Sequence, residues 1–136
     1  MKARFALALA ATGFALSAPA LAADATGIWL SQSGETRIHI APCGGALCGT
    51  VVWQKTPGKD VNNPDPAKQS RPVVGIQMIS GMKPSASGEY AGQLYNFQDG
   101  KTYSGKLTVA GPNALNLSGC VLGGIVCRSQ TWTRVN

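Results

Sequence analysis

The sequence has few of the side chains that perform chemistry. Its 136 residues include a single histidine, His39, and six carboxylates, and charged residues make up only 13% of the chain. One histidine excludes a metal-binding His pair, and no Gly-x-Ser-x-Gly motif or phosphate loop is present. Alternation along its strand turns His39 outward beside Arg37, as a solvated residue rather than a general base. Asp24, Glu35, Asp60, Asp65, Glu89 and Asp99 fall mostly in turns or at strand ends, not paired on one strand face where two carboxyls act as acid and base. Ser129 and Thr131 have no base near them in the pattern. The reading is a protein that is not an enzyme, with no catalytic residue, no metal site and no cofactor. The basic residues are scattered singly, from Arg37 and Lys55 to Arg128 and Arg134, with no run of three, which argues against a nucleic-acid partner. Past the N-terminus there is also no sustained apolar spacing of three and four, so helices do not build this fold.

The long apolar run that does exist is at the start. Lys2 and Arg4 precede an apolar stretch from Phe5 to Leu16, and Ala20-Leu21-Ala22 places small residues before a cleavage point at Ala23. Residues 1–22 read as a secretory signal peptide, with Ala18-Pro19-Ala20 as a second cut. The run is shorter than the roughly 20 residues a span requires, so no stable membrane span is expected after cleavage. Residues 23–136 then form one domain with one core, periplasmic or secreted. Cleavage takes two of the twelve basic residues and lowers the formal excess from +6 to +4.

All four cysteines lie beyond the signal segment, as Cys43-x4-Cys48 and Cys120-x6-Cys127, each pair flanking a Gly-containing stretch. Export places them where thiols oxidise, so two local disulfides are expected, each stapling the base of a turn. The alternative is a four-thiolate zinc site, although structural zinc sites favour about two to four intervening residues. Closing such short loops fixes turn geometry more than global stability.

Short runs rich in Ile, Val, Trp, Tyr and Thr recur between Gly, Pro, Asn and Asp. The clearest is a hairpin from Glu89 to Val109 around Gln98-Asp99-Gly100-Lys101, where Gly accepts the positive φ that the turn demands. Eight strands are expected, at about 26 to 32, 35 to 42, 48 to 55, 73 to 80, 88 to 97, 101 to 109, 114 to 119 and 126 to 135. The fold class is all-β: a small eight-stranded antiparallel up-and-down barrel, closed so that neither edge is left unpaired. Alternation puts Ile38, Ile40, Val51, Trp53, Ile76, Met78, Tyr103, Leu107, Val109, Leu115, Leu117 and Trp132 on the inner face. Gly27, Gly49, Gly92, Gly105 and Gly119 sit in or at the ends of strands, where they either let the sheet bend or leave room for a ligand.

One connection, Lys55 to Arg71, is longer than a compact domain usually carries and is the candidate lid or mouth loop. Its Asp60, Asn62, Asn63 and Asp65 suggest calcium, but the glycine and late Glu of a calcium loop are missing.

Gly27-Ile28-Trp29, Cys43-Gly44-x-x-Leu47-Cys48-Gly49, Asn62-Asn63-Pro64-Asp65, Arg71-Pro72-Val73-Val74-Gly75, Tyr95 with Asp99-Gly100-Lys101-Thr102-Tyr103, Gly119-Cys120 and Cys127 to Arg134 occur in order. Together they resemble the bacterial secreted family of domain of unknown function 2147 (DUF2147). The resemblance implies a lipocalin-like (calycin) barrel and no settled activity. Lipocalins carry Gly-x-Trp on the first strand and a late Arg packed over that Trp. Gly27, Trp29 and Arg134 fit those structural positions, and Trp132 is read as core. The chain is shorter than a lipocalin and lacks the central Thr-Asp-Tyr motif and the length for a C-terminal helix. Two functions follow. In the first, the barrel mouth admits a small, largely apolar molecule such as a fatty acid, contacted by Trp53, Met78, Tyr90, Tyr95 and Tyr103. In the second, a packed barrel acts as an envelope interaction module through its loops or through Tyr95 and Phe97 at the hairpin tip, with a protein partner unspecified.

Overall fold

In a computed structural model, described here for residues 24–136 apart from Ser87, the expected strands form and close on themselves. The expected signal segment lies outside the described residues. In chain order the strands are β1 (Gly27–Leu30), β2 (Thr36–Cys43), β3 (Ala46–Gln54), β4 (Gln77–Pro84), β5 (Glu89–Asn96), β6 (Lys101–Val109), β7 (Ala114–Val121) and β8 (Val126–Arg134). Each pairs antiparallel with the next, and β8 returns to β1 through Trp29 opposite Arg134 and Leu30 opposite Thr133. The helical segments among the described residues are two single 3₁₀ turns, Pro66–Lys68 and Leu122–Gly124.

The fourth strand begins four residues later than expected. Val73 to Ile76 is as apolar as a strand, but the Ile76 amide donates to the Val73 carbonyl at 3.0 Å and Gly75 takes a φ of 104°, so the segment turns. It hangs on β3 through Gly75 N–H to Val51 O and Val51 N–H to Ile76 O, while Val73 and Ile76 are buried all the same. The apolar pattern recorded burial rather than extension.

Two of the bulges decide how Trp53 and Met78 face. Opposite β2, Arg37 pairs with Trp53 and Ile38 with Val51, leaving Val52 as an extra residue. The parity of β3 flips there, so Val51 is buried while Trp53 lies on the outer face, 37% exposed, under the Arg37 guanidinium at 4.8 Å. This corrects the inward assignment of Trp53. Opposite β3, Thr50 pairs with Gln77 and Gly49 with Ile79, so the extra residue Met78 and its neighbour Ile79 are both buried.

The half of the barrel toward the chain ends is filled by Trp29, Ile38, Ile40, Ile79, Met82, Leu107 and Leu115, all fully buried. Each large apolar side chain so removed from water contributes about 1.5–3 kcal/mol. Here the strand glycines serve close packing rather than ligand space. A Cβ at Gly105 would lie 2.7 Å from Met82 Cε, and one at Gly92 would lie 2.6 Å from the Ser80 carbonyl oxygen. Arg134 seals this end: its guanidinium lies 4.3 Å above the Trp29 ring and donates to the carbonyls of Pro112, Thr26 and Asp24, each at 2.7 Å. Gly27 is required beside it, since a Cβ there would sit 2.6 Å from Arg134 Nη1. Cys43 pairs with Cys48 across the β2–β3 turn and Cys120 with Cys127 across the β7–β8 connection. With all four thiols used, the zinc alternative falls.

Candidate functional site

At the other end the barrel is open. The inward positions of β5 to β8 carry Leu94 and Asn96, Tyr103, Leu117 and Gly119, and Gln130 and Trp132, and they do not meet in the middle. They enclose a cavity of about 600 Å³ with an adjoining lobe of about 280 Å³ under the β1–β2 turn. Met78, Asn96, Gln98, Gln130 and Trp132 line both, so the two are one mouth. The wall is apolar through Trp132, Met78, Leu94 and Leu117, and the rim is polar through Asn96, Gln98, Asp99, Lys101, Arg128 and Gln130. Gly119 faces this space, where a Cβ would meet Leu94 at 3.3 Å, close but movable.

The rim is partly preorganised. The indole N–H of Trp132 donates to Gln130 Oε1 at 3.1 Å, which sets the ring's orientation. The Tyr103 hydroxyl donates to the Asp99 carboxylate, which also accepts from the Lys101 amide at 2.9 Å. Burial pushes Asp99 upward, but the Tyr103 hydroxyl, that amide and the Lys101 charge outweigh it and hold the carboxyl below its usual range. The bond to Asp99, with some burial, raises Tyr103 in turn.

Of the five residues expected to touch a ligand, Met78 and Tyr103 line the cavity. Trp53 is outside, as described above. Tyr90 pairs with Leu107 on the inner face of the packed half and joins the core there. Tyr95 lies opposite the exposed Thr102 on the outer side of β5, where its hydroxyl donates to Asp60 Oδ1 at 2.7 Å and accepts from Asn63 Nδ2 at 3.2 Å. The expectation of exposed aromatics at the hairpin tip is also corrected, because Tyr95 and Phe97 are both half-buried. Trp132, read as core, is core and cavity wall together. Leu117, already assigned inward, lines the cavity too, and Leu94 shares the parity of Tyr90 on β5, so strand parity alone would have found it.

The Lys55 to Arg71 loop is not a lid over the mouth, because none of its residues lines the cavity. It folds against the outer wall around Asp60, which is fully buried. That carboxylate accepts from Arg71 Nε and Nη2 at 2.9 Å, from Asn63 Nδ2 at 2.8 Å and from Tyr95. Burial works against the charge on Asp60, yet the hydrogen bonds from Tyr95, Asn63 and Arg71 and the guanidinium charge prevail and its pKa is lowered. Burial and the neighbouring Asp60 charge raise Tyr95. Asn62 Nδ2 then donates to the Gln98 carbonyl at 2.9 Å, so the loop braces the β5–β6 turn from which Asn96, Gln98 and Asp99 reach the mouth. Among the described residues no group of three His, Cys, Asp or Glu could hold a metal ion.

A closed eight-stranded antiparallel barrel with one sealed and one open end is a lipocalin-like protein. The chain belongs to the family described as "Uncharacterized protein conserved in bacteria (DUF2147)", which matches residues 27–134. Among solved structures it is similar to one described as "Protein HP1028 from the human pathogen Helicobacter pylori belongs to the lipocalin family". That match has a TM-score of 0.75 and 22% identity and covers 83% of this chain and 84% of the other, a likeness of fold. No curated protein matches the chain significantly.

Proposed function

We propose that this protein is exported and binds a small, largely apolar ligand, of the size and kind of a fatty acid, in the open end of its barrel. The observation that carries this reading is the cavity of about 600 Å³ walled by Trp132, Met78, Leu94 and Leu117. Ligand sites are concave, mostly apolar, of roughly 300–1,000 Å³, and have a few placed polar groups. The lipocalin family named for the H. pylori structure supports a binder over an enzyme, and the two disulfides are compatible with an exported protein. Residues 1–22 are proposed as the signal peptide that takes it there. Met78 and Tyr103 remain proposed contacts, joined by Trp132, Leu94 and Leu117.

Native mass spectrometry of mature protein from its own periplasm, taken without refolding, tests this reading. An extra mass that disappears on solvent extraction is expected, and it should be reduced in Gly119→Leu, which places a side chain in the cavity without truncating the core. A clean polypeptide mass for wild type, together with no uptake of added fatty acid, would overturn it.

A second reading is favoured by one feature. The β7–β8 connection exposes Leu122 by 73% and Ile125 by 84%, with Val121 and Val126 half exposed beside them. A contiguous apolar tip on a rigid, disulfide-closed hairpin suits an interaction module acting through its loops. Leu122→Ser with Ile125→Ser would then abolish a crosslink formed in situ while leaving ligand uptake intact.

A further inference from the structure

We propose that Arg128, with Lys101 lining the same cavity, forms a headgroup site at its rim, so that the ligand is an amphipathic anion: an apolar tail ending in a carboxylate or phosphate. This rests on the binding reading and narrows it. Four arginines lie within residues 24–136, and three of them are engaged. Arg37 stacks on Trp53, Arg71 holds Asp60, and Arg134 caps Trp29. Arg128 has no hydrogen-bond, ion-pair or ring partner among the described residues, yet it lines the cavity. Its position explains how it does so: Arg128 pairs in register with Gly119, the one inward position of β7 near the mouth without a side chain, so the guanidinium has space over the opening.

Lys101 also lines the cavity and has no ion-pair partner among the described residues. The carboxylate nearby, Asp99, is already committed to the Tyr103 hydroxyl and the Lys101 amide. Two cations against one occupied carboxylate leave a positive excess at the boundary between an apolar wall and solvent. Below them the wall turns apolar at Tyr103, Leu117 and Trp132. A cation at that boundary meets an anionic headgroup whose tail lies in the cavity, and a charge-assisted hydrogen bond is stronger than a neutral one. A guanidinium also matches the two oxygens of a carboxylate or phosphate in a planar fork. A neutral apolar ligand would fill the same cavity and leave both cations unused.

The test compares dansyl-labelled undecanoate with its methyl ester by fluorescence on wild type, Arg128→Gln and Lys101→Gln. Arg128 and Lys101 are exposed, so neither variant disturbs the core. Wild type should bind the acid about tenfold more tightly than the ester, the worth of one charge-assisted hydrogen bond. Arg128→Gln should bring the acid-to-ester ratio close to parity, and Lys101→Gln should have a smaller effect in the same direction. Displacement by laurate or by dodecyl phosphate supports the site, and the tighter competitor names its headgroup. Equal binding of acid and ester to wild type, or an unchanged ratio in Arg128→Gln, would overturn the headgroup site and leave the cavity reading standing. Binding of neither probe would overturn both.

Discussion

The Tyr95 hydroxyl donates to the buried carboxylate of Asp60 at 2.7 Å, joining two residues 35 positions apart. Through this bond the longest loop of the chain is fastened to the outer wall of the barrel. Asn63 and Arg71 complete the shell around the carboxylate, and Asn62 passes the support on to the β5–β6 turn. Part of the mouth is therefore held from outside the barrel.

Removing the hydroxyl leaves Asp60 with its other partners, whereas removing the charge leaves the Arg71 guanidinium without its ion pair. Tyr95→Phe should cost about 1 kcal/mol and Asp60→Asn about 2–3 kcal/mol in urea denaturation. Equal stability of all three proteins would show that the network does not brace the fold.

The same carboxylate makes stability depend on pH. The folded pKa of Asp60 lies below its unfolded value, so its contribution is complete above the unfolded pKa of about 3.9 and is lost as pH falls through the folded value. Wild type should therefore lose more stability than Asp60→Asn between pH 7 and pH 3. A parallel loss in both proteins would place the acid sensitivity elsewhere.

At the sealed end, Arg134 supplies three donors to three carbonyls and a flat face to Trp29. An ammonium cannot reproduce that fork and stack together. Arg134→Lys should lower stability by about 1–2 kcal/mol and Arg134→Met by more, read from thermal and urea unfolding. Retention of full stability in Arg134→Lys would reduce the contact to a simple charge.

Trp53 is the control for the site. Because it stacks on Arg37 outside the barrel, Trp53→Ala should leave affinity for dansyl-labelled undecanoate unchanged while costing about 1 kcal/mol of stability. A several-fold loss of affinity would mean that the cavity communicates with the outer face of β3.

The contrast between Trp53 and Met78 shows how far strand alternation reads. Both follow the expected inward parity in sequence, and both sit next to a bulge in β3 or β4. One bulge turned Trp53 out, while the other kept Met78 in and added Ile79. An extra residue in a ladder is set by how two strands twist against each other, and no period within either strand records it. Tyr95 differs in kind. It was expected to touch a ligand, yet it faces outward, and its partner Asp60 comes from a loop whose path depends on the wall it lands on.

By itself the sequence determined the closed eight-stranded barrel and the two local disulfides, while the stacking of Arg134 on Trp29 was implied by the resemblance to lipocalins. The barrel and the disulfides rest on short-range causes: alternation, turn residues, and cysteines close along the chain. Only the tertiary structure decided that one half of the barrel is packed and the other hollow. It also decided that the long loop braces the wall instead of covering the mouth, and that Arg128 stands over the cavity with Gly119 opposite it. Each of these depends on which residues from distant strands meet at one height in the barrel. That is fixed by register and bulges summed around the closed sheet.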